Sequence, residues 1–109
     1  MDILSGKRRA AGRTKPGSTN WKQHSEANCI YVDIDTASGR FSGIPVYITS
    51  IGGDSFHEET VGSSSVHEAS ATKFRIYIKR VDEGPLTPET ANKFKWHINW
   101  LGIEVPFDL

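Results

Sequence analysis

A chain of 109 residues, 37% apolar and 24% charged, has room for one modest core and excludes a second domain with a core of its own. Its single cysteine, Cys29, excludes an intrachain disulfide scaffold. No apolar run reaches the ~20 residues that span a bilayer, and the start lacks the apolar stretch of a signal peptide, so a soluble chain without membrane insertion is expected. The zero net charge hides an asymmetry: residues 1–22 carry six basic side chains against Asp2, the remainder seven against twelve carboxylates.

Residues 1–20, basic and rich in Gly, Ser and Thr, read as a flexible N-terminal arm, with the folded domain over 21–109. Such an arm can touch phosphate, but the rest of the chain offers no recognition helix or basic stripe, and nucleic acid is not the expected partner. From Cys29 to Thr36 the chain alternates: Ile30, Val32 and Ile34 on one side, Tyr31, Asp33 and Asp35 on the other. That is a half-buried strand with a wet face. Ala37–Arg40 turns the chain, and Phe41 begins the approach to a second strand, Val46 to Ile51, closed by a Gly52-Gly53-Asp54 turn. Phe56–Thr60 and Ser64–His67 are short strand candidates that can pair as a hairpin or equally form a sheet edge or a loop.

Thr72 to Val81 is the next well-patterned strand, with Phe74, Ile76 and Ile78 inward and Arg75, Tyr77 and Lys79 outward. Thr87 followed by Pro88 signals a capped helical turn. The final run, Phe94 to Ile103, places Trp96, Ile98 and Trp100 on one face and His97, Asn99 and Leu101 on the other. No long amphipathic helix competes with this pattern. An all-β fold is expected, either two packed antiparallel sheets or a flattened barrel.

Catalytic and metal signatures are thin. Asp33 and Asp35 share a strand face and can serve a cation or a glycosidase only with further ligands or a cleft; the plainer account is two solvated or cross-strand-paired carboxylates. His24, His57, His67 and His97 never fall at metal-ligand spacing, and Cys29 has no cysteine partner for zinc. Cys29 reads as a small buried filler rather than a nucleophile. No cofactor is implied. If the strands around Phe74–Ile78 and Trp96–Trp100 are neighbours, Arg75, Tyr77, His97 and Asn99 form one hydrogen-bonding patch beside aromatic rings, suited to a sugar or a protein surface; a mixed solvated face is the plainer account.

Two resemblances bear on this reading. The segments Ile30–Thr36, Phe41–Gly53, Ala71–Ile78 and Trp96–Gly102 resemble a little-characterised family of small all-β domains from algae, fungus-like organisms and bacteria, over about residues 12–104. More distantly, Phe41–Val46, Thr72–Ile76 and Ile98–Ile103 resemble the H-type lectin domain. That resemblance implies a six-stranded sandwich, a homotrimer assembled through sheet faces, and glycan binding at protomer boundaries. It also implies an arginine role for Arg75 and an aromatic role for Phe94 or Trp96; the family's usual Trp-Ala-Asp loop is replaced here by Pro85–Lys95. The expectation is a non-catalytic carbohydrate-binding or adhesion-type module, an oligomer with ligand contacts from Arg75, Tyr77, Phe94, Trp96, His97 and Asn99. The alternative is a structural self-assembly domain without sugar affinity.

Overall fold

The computed structural model describes residues 7–105. Seven strands among them form two antiparallel sheets: β1 (Arg9–Arg13), β2 (Lys22–Gln23), β3 (Cys29–Asp35), β4 (Val46–Gly52), β5 (Thr60–Val61), β6 (Lys73–Arg80) and β7 (His97–Ile103). One sheet has the order β1-β7-β4, the other β2-β3-β6-β5. Every long alternating segment of the sequence is a strand, because alternate apolar side chains are buried only when they meet a facing sheet. Ile30, Val32 and Ile34 of β3 and Phe74, Ile76 and Ile78 of β6 meet Ile98 and Trp100 of β7, all at most 8% exposed. Among the described residues no helix is long and apolar enough to cross a membrane.

Small residues let the rings close over the strands. The Phe41 ring packs over Gly102, where a Cβ would come within 2.7 Å of it. Tyr47 reaches inward from β4, stacks at 4.5 Å on Phe74, and donates its hydroxyl to the Ser70 carbonyl while also bonding buried Thr36 Oγ1. Trp21 donates its indole N–H to the Trp96 carbonyl, fastening the entry to β2 onto the opposite sheet.

Between β6 and β7 lies α1 (Pro88–Lys93). Thr87 caps it by accepting the Thr90 N–H, and Pro88 opens it, as the sequence signals. It ends in a Schellman arrangement: Trp96 N–H reaches the Ala91 carbonyl, Lys95 N–H the Asn92 carbonyl, and Lys95 takes φ +57° where glycine is usual. This hook drops Trp96 into the core at the start of β7.

Two expectations change. The arm expected to be flexible carries β1 from Arg9 onward, in full register with β7 from Arg9 opposite Ile103 to Arg13 opposite Asn99; residues 1–6 of that arm lie outside the described residues. Only Ala10 of β1 packs on the core, so the segment has no hydrophobic alternation to reveal it. Its role is to satisfy the second edge of β7, and Gly12 allows that edge to approach the Trp100 indole. Of the options open for Phe56–Thr60 and Ser64–His67, the hairpin does not form and the sheet edge does. Residues 57–59 are a 3-10 turn, β5 pairs with β6, and His67 makes an isolated bridge to Arg75 farther along the same strand. The segment is a broken edge strand, interrupted by the turn that begins at Gly62.

Candidate functional site

The six residues expected to share one ligand surface fall in three places. Because β6 and β7 belong to different sheets, Arg75 and Tyr77 face outward on one side of the sandwich, and His97 and Asn99 on the other. His97 covers Gly52 and pairs its Nδ1 with the Lys95 carbonyl at 2.9 Å; Asn99 donates to Ser50 Oγ. Trp96 is 2% exposed and gives its indole N–H to the Ser55 carbonyl, so it is a core residue rather than a stacking platform. Phe94 borders a separate cavity beside α1. The single patch of Arg75, Tyr77, His97 and Asn99 therefore does not exist.

What the four-stranded sheet assembles around Arg75 and Tyr77 is richer than the patch expected there. The register of β3 against β6 places Tyr31 opposite Tyr77 and Asp33 opposite Arg75, so the outward side chains of the two strands match in kind. The Arg75 guanidinium donates from Nε and NH2 to the two Asp33 oxygens at 2.7 and 3.0 Å, and from NH1 to the Tyr77 hydroxyl at 3.2 Å. It lies 4.3 Å from the centre of the Tyr31 ring and 3.5 Å from Glu68. A bidentate, stacked arginine is oriented far more tightly than a solvated one.

Beyond Tyr77, two imidazoles stand edge-on to its ring, His67 at 4.9 Å and His24 at 5.6 Å. His24 Nδ1 accepts the Glu26 N–H, which puts the proton of the neutral ring on Nε2. These rings, with Glu26, Ser65 and Lys79, line a hollow of about 330 Å³ on the outer face. Lys79 and Glu26 pair across its rim at 3.0 Å. Cys29 lies at its floor, 2% exposed, with burial pushing the thiol above its usual range. A thiol held protonated is a poor nucleophile.

Asp33 and Asp35 do border one shallow hollow of about 390 Å³ with Lys73. Asp33, however, is engaged by Arg75, which holds its carboxyl below the usual carboxylate range. Asp35 accepts the Ala37 N–H at 2.8 Å and shapes the turn after β3. Asp33 is accordingly an anchor for Arg75 rather than a proton donor. Among the described residues no three His, Cys, Asp or Glu side chains gather where a metal ion would sit.

The lowered Asp33 value has a sign. A carboxyl whose pKa falls on folding stabilises the fold above its unfolded value, about 3.9, and that contribution disappears as pH drops through the lower folded value. Asp33→Asn is expected to melt below the parent at pH 7, with the gap closing as the pH is lowered toward 2. Thermal melts across that range read it directly, and a gap that stays constant down to pH 2 would remove the ion pair as its cause.

Comparison with protein-family models, curated proteins and solved structures finds no match for this chain.

Proposed function

We propose that the protein is a non-catalytic glycan-binding module acting as an oligomer, with the Tyr77 hollow as its sugar site. The carrying observation is the Tyr77 ring, flanked by His24 and His67 and tied by its hydroxyl to Arg75. A pyranose offers an apolar C–H face and a ring of hydroxyls. It suits a hollow that combines aromatic walls with neutral and charged hydrogen-bonding groups. The likeness of Phe41–Val46, Thr72–Ile76 and Ile98–Ile103 to the H-type lectin pattern supports the same reading and favours a trimer, with Arg75 in the arginine role.

Self-association has its own support. The outer face of the three-stranded sheet carries Val46 and Ile48 at 46% and 57% exposure, beside Leu101 and Ile103, with Ile44 at 67% nearby. The chain from Phe41 to Gly53 contains no charged residue. Flanked by Arg9 beside Ile103 on the neighbouring strand, an exposed apolar patch of this kind is the usual mark of a protein contact. It also favours the second reading, a self-assembly domain without sugar affinity.

A glycan array followed by titration calorimetry separates the two. A hit is expected whose affinity drops about 10-fold in Tyr77→Ala, the loss of one ring contact, measured at a temperature where circular dichroism shows the variant folded. A stable oligomer that binds no glycan at millimolar concentration would leave only the assembly reading, and a monomer by sedimentation would remove the oligomer from both.

A further inference from the structure

On the side of the sandwich near α1 lies a second cavity, of about 280 Å³, that the Tyr77 site does not use. Its walls include Phe56, Phe94, Trp96 and Leu86, with Glu59 and Arg80 as its charged members. Phe56 and Phe94 meet at 4.9 Å with their planes 75° apart, forming two sides of a corner. Phe56 holds φ +69° and leaves its ring 47% exposed. A bulky aromatic residue in the left-handed region is strained, and such strain persists where the surroundings fix it, often at ligand clamps.

The charges around this corner are lopsided. Arg80 is already engaged, donating to the Asp82 carboxylate and to the Pro85 carbonyl. The Asp82 carboxyl is held below its usual range by the Gly84 N–H and Arg80, and so stays ionised. Glu59, an exposed residue, is one of the lining residues, and Glu58, Glu59 and Asp82 together border the adjoining surface. The Phe94 ring already takes one ammonium from outside the cavity lining: Lys93 Nζ lies 5.4 Å from its centre.

From these observations the geometry points to a binding site for an organic cation of the alkylammonium class, seated in the Phe56–Phe94 corner with Glu59 as its counter-charge. Perpendicular aromatic faces attract a poorly hydrated cation through their quadrupoles, and a nearby carboxylate adds Coulomb attraction. The volume suits a quaternary ammonium head and a short chain. The site is independent of glycan binding, because its residues lie outside the Tyr77 hollow.

The test uses the full chain and amide and indole NMR shifts, with tetramethylammonium and choline as probes and 3,3-dimethylbutan-1-ol as the neutral analogue of choline. Saturable shifts of the Trp96 indole N–H are expected with both cations, and binding of the neutral alcohol at least ~10-fold weaker, the size of a modest cation–π preference. Phe56→Ala and Glu59→Gln should each weaken choline binding about fivefold or more. Equal binding of choline and the neutral alcohol would reduce the cavity to a plain apolar pocket and overturn the proposal. So would an unshifted Trp96 indole at ~100 mM tetramethylammonium against a sodium chloride control, a concentration at which even a weak site fills. Should Phe56→Ala fail to fold, the Glu59→Gln titration decides alone, and unchanged choline affinity there is a refutation.

Discussion

Trp96→Ala is expected to lower the unfolding free energy by about 3–5 kcal/mol, the range for emptying a large aromatic site in a core. Ring burial and three hydrogen bonds meet at this residue. Its ring is 2% exposed, its indole N–H bonds the Ser55 carbonyl at 2.8 Å, and its own carbonyl receives the Trp21 indole. Its backbone N–H also closes the end of α1 through the Ala91 carbonyl. A domain of this size has about 5–15 kcal/mol in all, so the variant is expected to be partly unfolded at 37 °C. Urea denaturation followed by circular dichroism measures the loss. Trp96→Phe keeps an aromatic ring while removing the indole hydrogen bond, expected to cost about 1–2 kcal/mol, with the smaller ring adding a packing loss to it. A loss under about 1 kcal/mol in Trp96→Ala would show that the ring is not a core element.

Gly62→Ala should be the next most damaging change, through the backbone rather than through lost contact. Gly62 has φ +107°, and a Cβ built there overlaps the Tyr77 carbonyl oxygen. Both the conformation and the space exclude an L side chain, and the neighbour is strand backbone that cannot swing away. A loss of about 2–3 kcal/mol is expected, at the upper end for a single strained residue. Gly43→Ala is the control: no atom lies within 4 Å of its Cβ position, and a change within ~0.5 kcal/mol is expected there. Because Gly62 touches the carbonyl of Tyr77, the alanine variant should also weaken any glycan found on the array. Wild-type stability in Gly62→Ala would show that β5 and β6 do not approach as described.

The strands were legible because burial imposes a period of two, and β3, β6 and β7 each carry it over seven residues or more, whereas β4 is apolar on both faces and is marked by its flanking turn residues. Partnership was harder to read. Periodicity shows which side chains point inward but not which strand lies beside which. The sequence nevertheless holds a clue to the β3–β6 pairing. The outward residues Tyr31, Asp33 and Asp35, set antiparallel against Tyr77, Arg75 and Lys73, match ring to ring and acid to base, as the register confirms. Setting β6 beside β7 instead produced the patch that the fold divides. His24 and His67 entered the site unannounced, since each comes from irregular chain brought to Tyr77 by the sheet. β1 escaped notice for a plainer reason: an edge strand held mainly by its backbone needs few apolar side chains.

The pairing of Arg9 with Ile103, extended by the Glu104 N–H to the Arg8 carbonyl, joins the first and last parts of the described chain side by side. The closing stitch of one sheet thus links positions more than ninety residues apart in sequence, and such distant contacts delay folding until most of the polypeptide has collected. Trimming the basic segment as though it were a dispensable tag would unzip that seam and lay bare the flank of Trp100. A short linker joining Glu104 to the adjacent Arg8, with a fresh cut at exposed Gly43, should instead give a circularly permuted protein with the same sandwich.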